Sequence, residues 1–134
     1  MAGSTGSMTV TEYRTGMVKL IKFDWVTGSS SQTDDATGYT TFKDYDGQII
    51  ELATIPDGTA APTASYDLAV VDKNSLDVLC GGGADRHTSS TEYKAFGSTG
   101  TKTYPFGAVC GSSLTLNVTN AGTEKRGLTY LFIR

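Results

Sequence analysis

Along this chain apolar and polar positions alternate in short runs far more often than they recur at helical spacing. In "MVKLIKFDWV", Met17 to Val26, Ile21, Phe23 and Trp25 fall on one side and Lys22 and Asp24 on the other, the period-two pattern of a half-buried strand. Near the C-terminus "SLTLNVTN" sets Leu114, Leu116 and Val118 against Thr115, Asn117 and Thr119. The final run, "LTYLFIR", alternates Leu128, Tyr130 and Phe132 with Thr129, Leu131 and Ile133. Both faces of that run are apolar, which places it centrally in a sheet or at an interface.

Turn signals separate these runs. "TGSSSQTDDATG", Thr27 to Gly38, predicts a polar surface loop. "YTTFKDY" and "QIIELATI" flank Asp46-Gly47, which predicts a hairpin there. Pro56-Asp57-Gly58 turns the chain and Pro62 closes a second loop. Thr63 to Cys80 is the longest stretch free of Gly and Pro, and Leu68, Val71, Ser75 and Leu79 loosely fit a helical stripe. The Val70-Val71 pair and the turn-forming "DKNS" at Asp72 to Ser75 favour two strands instead, "YDLAVV" and "LDVLC". "STEYKAFGSTGTKTYPFGAVCGSS" reads as irregular, and "AGTEKRG" as a turn. About seven short strands with little helix predict an all-β protein, a single-domain antiparallel β-sandwich or jelly-roll-like barrel. The domain is expected over residues 10–134, behind a flexible arm of residues 1–9 rich in Gly, Ser and Thr.

Composition supports this and narrows the partners. The 134 residues are 38% hydrophobic with 16 glycines, enough for a core. The formal charge is −3 and no basic stripe is visible, so nucleic acid is not an expected partner. No apolar run approaches bilayer-spanning length, so no membrane partner is expected either. "MAGSTGSMTV" has neither the basic nor the apolar region of a secretory signal. Cys80 and Cys110 lack metal-type spacing and read as buried free thiols, with a disulfide between them as the alternative.

The chemically richest stretch is "CGGGADRHTSST", Cys80 to Thr91, which holds the chain's only histidine. A dinucleotide fingerprint would need Gly where Arg86 stands, and a helix after it. Asp85, His87 and Ser89 or Ser90 are triad residue types, but they crowd into one loop and no nucleophile elbow is present. Cys80 and His87 lack companions for zinc. "DKNSLD", with Asp72, Asn74 and Asp77, departs from a calcium loop by Leu76 and Asp77 where a ligand and a glycine belong. Trp25, Tyr39, Tyr45, Tyr93 and Tyr104 are candidates for stacking on sugars, though strand aromatics usually fill cores. No catalytic, cofactor-binding or metal-ligating residue is therefore expected, and no enzymatic activity. The glycines predict a sharp corner or close backbone approach after a strand, followed by a polar loop whose Asp85, Arg86 and His87 are candidate partner contacts.

Three segments carry a family resemblance: "VKLIKFDW", "GQIIELATIPDGTAAPTASYDLAVVDKNSLDVLCGGGADR" and "LTLNVTNAGTEKRGLTYLFIR". Together they cover over half the chain, and it resembles small structural proteins of tailed bacteriophages. The resembling features are a "PDGTxAPTxxYD" segment, a Gly-rich "GxGAxR" corner and a terminal "LTLNVTNAG" strand. The resemblance implies a virion component made in the host cytoplasm. It points first to a capsid decoration (cement) protein that assembles as a homo-oligomer on the head surface and binds the major capsid protein or another virion protein. A tail or head–tail-connector component is the alternative within the family, and a host-surface or carbohydrate-binding module the alternative outside it. No catalytic residue set or cofactor comes with the resemblance. An N-terminal arm carrying Ser4 and Met8 is a further expected contact with a neighbouring subunit.

Overall fold

The computed structural model describes residues 6–13, 16–28, 36–95, 97–99, 102–104 and 106–134, with backbone only at 36–39, 97–99 and 102–104. The described residues contain no helix and form eleven strands: β1 (Ser7–Tyr13), β2 (Lys19–Val26), β3 (Ala36–Thr40), β4 (Tyr45–Pro56), β5 (Asp67–Val71), β6 (Glu92–Ala95), β7 (Gly97–Thr99), β8 (Lys102–Tyr104), β9 (Ala108–Ser112), β10 (Thr115–Thr119) and β11 (Arg126–Ile133). A six-stranded sheet runs in the order β1-β2-β11-β4-β6, with β9 beside the first half of β4. A three-stranded sheet, β3-β10-β5, packs over it, and β7 and β8 form a separate hairpin. The pairings are antiparallel, and the molecule is a β-sandwich.

Alternation decides what fills the space between the sheets. Ile21, Phe23 and Trp25 of β2 and Leu131 and Ile133 of β11 point inward and meet Leu116 and Val118 of β10 and Leu68 and Val70 of β5. Thr129 is the polar member of the inward row, and its hydroxyl accepts a hydrogen bond from Trp25 Nε1 at 3.1 Å. That bond satisfies the one polar atom of a fully buried indole. Tyr66 closes the core, its ring 5.7 Å from that of Trp25 and tilted by 53°. As its doubly apolar pattern predicted, β11 lies centrally, between β2 and β4.

The structure corrects several local expectations. Asp46-Gly47 is not a hairpin turn: β4 runs through it, and the register against β9 shifts there. Gly47 has φ +130°, and any β-carbon on it would collide with the carbonyl of Arg134, whose backbone exchanges two 2.9 Å hydrogen bonds with Gln48. The glycine that signalled a turn marks a bulge under a crossing chain end. "LDVLC" makes only an isolated bridge at Asp77 and then a series of turns. The stretch read as irregular supplies β6, β7, β8 and β9. Ala36 to Gly38, read as loop, belong to β3, while residues 29–35 lie outside the described residues. Residues 7–9 are not arm but the start of β1, where Met8 packs on the core opposite Trp25. Cys80 and Cys110 are free as expected, but both are exposed rather than buried.

Other signals hold. The Asp57 carboxylate accepts the amides of Ala60 and Thr59 in the Pro56–Gly58 turn; these two bonds, with Arg126 nearby, hold its pKa below the usual carboxylate value. In "DKNS" the Asp72 carboxylate accepts the amides of Asn74 and Leu76. Thr27 Oγ1 donates to Gly122 O and accepts from the Lys125 amide, clipping the "AGTEKRG" turn to the end of β2.

Candidate docking surface

The Cys80–Thr91 stretch is built as a structural corner. Asp77 Oδ1 accepts the Leu79 amide and Oδ2 the Gly81 amide, each at 3.0 Å, and this turns the chain out of its bridge. Gly81 takes φ +81°, a conformation that costs an L-residue and suits glycine. At Gly82 a β-carbon would strike the Phe106 ring, and at Gly83 the Leu68 carbonyl. This approach lets Gly83 O accept the Leu68 amide at 2.8 Å, fastening the corner to β5. The expected close backbone approach at the glycines is met, but turns rather than a strand lead into them.

The Asp-Arg-His run behaves differently from the expectation that it forms a contact surface. Arg86 is only 4% exposed. Its Nε and Nη2 donate to Ala84 O at 3.0 and 2.7 Å, and Nη1 lies 3.5 Å from Glu92 Oε1. A charge so buried needs partners, and the loop's own carbonyl and the β6 carboxylate supply them. Arg86 is therefore removed from the candidate partner contacts; it pins the loop to the large sheet. Asp85 is exposed, with φ +55°, and its amide donates to Asp67 Oδ1. His87 is exposed as well, yet its Nδ1 accepts the amides of Ser89 and Ser90, so one ring nitrogen is spent on holding its own turn. Ser4 lies outside the described residues.

Beside Arg86 lies a small buried polar group. The Tyr66 hydroxyl neighbours the Thr54 hydroxyl, yet neither they nor Arg86 Nη1 completes an aligned hydrogen bond. Burial pushes the Tyr66 pKa up to about 12, against the opposing pull of the Thr54 hydroxyl and the Arg86 charge.

No chemical constellation emerges from the other candidates. Asp72 and Asp77 spend their carboxylates on backbone amides, and no group of three or more His, Cys, Asp or Glu placed to hold a metal occurs among the described residues. Trp25 and Tyr45 are fully buried, which removes them as sugar platforms; the side chains of Tyr39 and Tyr104 lie outside the described set. Among the proposed stacking residues whose side chains are described, Tyr93 is the exposed one, at 69%.

Tyr93 leads to the surface that stands out, the outer face of the large sheet. Cross-strand register lays out its rows. One is Lys22–Tyr130–Ala53–Tyr93, a second Asp24–Leu128–Ile55, and a third Leu20–Phe132–Glu51–Ala95. A shallow depression of about 270 Å³ lies among Leu20, Ala53, Ile55, Tyr93, Tyr130 and Phe132. A second, of about 240 Å³, runs along Leu128 and Ile55 to Asp57 and Arg126. On this face Leu128, Tyr130 and Phe132 are half-buried and as apolar as an inner row. At its edge Tyr13 carries the surface into the β1–β2 connection, where Met17 is 71% exposed. Phe42, 86% exposed, is tied to the end of β1 by its amide, which donates to Glu12 Oε1. The sequence had announced this face through the double apolarity of "LTYLFIR"; Met17 and Phe42 carried no pattern of their own.

Comparison with protein-family models, with curated proteins and with solved structures returned no match.

Proposed function

We propose that this chain is a non-enzymatic structural protein of a tailed-bacteriophage virion, a capsid decoration (cement) protein that binds the outer head surface as a homo-oligomer. The observation that carries the reading is the set of exposed large hydrophobic side chains, Tyr13, Met17, Phe42 and Tyr93, together with the apolar depression on the outer sheet face. A well-packed sandwich gains nothing from leaving such groups to water, and large uncovered apolar patches mark sites of association. The residues behind the family resemblance support it from another side. "PDGTAAPTASYD" supplies the Asp57-capped turn and core Tyr66, "GGGADR" the glycine corner, and "LTLNVTNAG" the central strand of the small sheet. Those motifs are joints of a scaffold, and the scaffold presents surface rather than reactive groups.

In this reading the Met17–Phe42 end meets the head. Co-sedimentation with heads of the phage encoding the chain tests it, comparing wild type with the Met17→Asp, Phe42→Asp double variant. Both side chains are exposed, so folding is untouched, and binding should weaken at least about tenfold. Unchanged occupancy would contradict the assignment, and binding to tails instead of heads would move the chain to the tail or connector. A second reading, a carbohydrate-binding module, is favoured only by the exposed Tyr93 ring beside Tyr130. It requires glycan binding that Tyr93→Ala abolishes.

A further inference from the structure

We propose that Thr54, Tyr66 and Arg86 together hold one ordered water molecule in the core, behind the glycine corner. The proposal stands apart from the virion assignment, and neither depends on the other.

Two residue pairs build the site from opposite sides. Glu92 of β6 is the register partner of Thr54 of β4, so both side chains leave the large sheet on one face, and buried Thr54 shows that this face is the inner one. Tyr66 and Arg86 form an isolated antiparallel bridge, in which the Arg86 amide donates to Tyr66 O at 2.7 Å, so their side chains share a side as well. The pairs meet where Arg86 Nη1 lies 3.5 Å from Glu92 Oε1 and the Tyr66 hydroxyl neighbours that of Thr54. Thr54 is 1% exposed, Tyr66 0% and the Arg86 side chain 5%. At that depth Thr54 Oγ1, the Tyr66 hydroxyl and Arg86 Nη1 complete no aligned hydrogen bond with any described protein group. Three such atoms gathered in one place are costly, and protein interiors satisfy clusters of this kind with buried water.

The chemistry of the groups selects the occupant. Arg86 Nη1 only donates, whereas each hydroxyl can donate and accept. A water accepts from Nη1 and from the Tyr66 hydroxyl and donates to Thr54 Oγ1, and its second proton remains for the Glu92 carboxylate. An anion would accept from the same donors, but it would set a second negative charge beside Glu92 in a buried place. A cation would meet the guanidinium, which Ala84 O fixes through Nε and Nη2. The water therefore ties β4 to the Tyr66–Arg86 bridge and completes the fastening of the corner that Glu92 begins.

A high-resolution crystal structure of the wild-type chain tests this, with oxygen-17 relaxation dispersion counting long-lived internal waters in solution. The map should show one peak about 2.7–3.2 Å from Thr54 Oγ1, the Tyr66 hydroxyl and Arg86 Nη1. The Thr54→Val, Tyr66→Phe double variant should lose that peak and one long-lived water, whereas Thr54→Ser keeps the hydroxyl and should keep both. A wild-type map in which the two hydroxyls bond directly to each other with no peak between the groups overturns the proposal. So does a peak that survives in the double variant, or an anomalous bromide signal at the site after exchange of chloride for bromide. Thermal melts confirm that the variants fold, and the wild-type map decides the matter even where one does not.

Discussion

Trp25 and Gly127 are cross-strand partners between β2 and β11, and the indole lies directly on the glycine backbone. A β-carbon at Gly127 would overlap the six-membered ring, while Nε1 is held by Thr129 two residues on. The bare backbone at residue 127 lets the largest core side chain lie flat and reach its acceptor.

Gly127→Ala must therefore displace the indole or part the strands. A loss of about 2–3 kcal/mol is expected, as for overpacking a tight core. Thermal denaturation should register it as a fall in Tm of roughly 5–10 °C, with a change in tryptophan fluorescence.

The three-glycine corner should show a graded response. Gly83→Ala meets the Leu68 carbonyl, a backbone atom that cannot swing away, and should cost about 2–3 kcal/mol. Gly81→Ala meets open space and suffers only from its positive φ, for about 1 kcal/mol. Urea titration of both variants checks the order; a larger loss at Gly81 would contradict this account of the corner.

Arg86 and His87 are sequence neighbours with opposite weights. Arg86→Ala removes the two bonds to Ala84 O and leaves Glu92 without its cation, for an expected loss of about 2–4 kcal/mol. His87→Ala frees only two amides at an exposed turn and should cost no more than about 1 kcal/mol. Chemical denaturation of the two variants separates anchor from ornament.

Tyr66 makes stability fall at alkaline pH. Its folded-state pKa of about 12 lies above the ordinary 10, so the unfolded chain loses the proton first. The contribution is complete below the unfolded pKa and is lost as pH rises through the folded one, at up to about 1.4 kcal/mol per pH unit. Tyr66→Phe removes that dependence together with a buried hydroxyl that has no aligned partner. Urea unfolding at about pH 8 and about pH 11 should show wild type losing more stability than the variant between the two values.

These positions show what was legible in the sequence and what was not. Alternation marked the inward Ile21, Phe23 and Trp25, the inward Leu114, Leu116 and Val118, and the central place of β11, because a period of two leaves side chains only two faces to choose between. The triple glycine foretold a close approach for the same kind of local reason. Gly47 misled because a glycine with positive φ serves a turn or a bulge equally well, and only the distant Arg134 crossing above it decides between them. Arg86 misled because loop charges are usually solvated; its burial depends on Glu92 and on how β6 docks, which no local pattern encodes. The docking surface was half visible, in the apolar outer row of β11. Met17 and Phe42 lie in connections, where no periodic pattern marks a side chain as exposed.

Cryo-electron microscopy of phage heads mixed with the purified chain tests the virion assignment most directly. The account predicts β-sandwich density repeated at regular positions on the outer head surface, with the Met17–Phe42 end against the capsid. Heads that stay bare at saturating concentrations of the chain would contradict it.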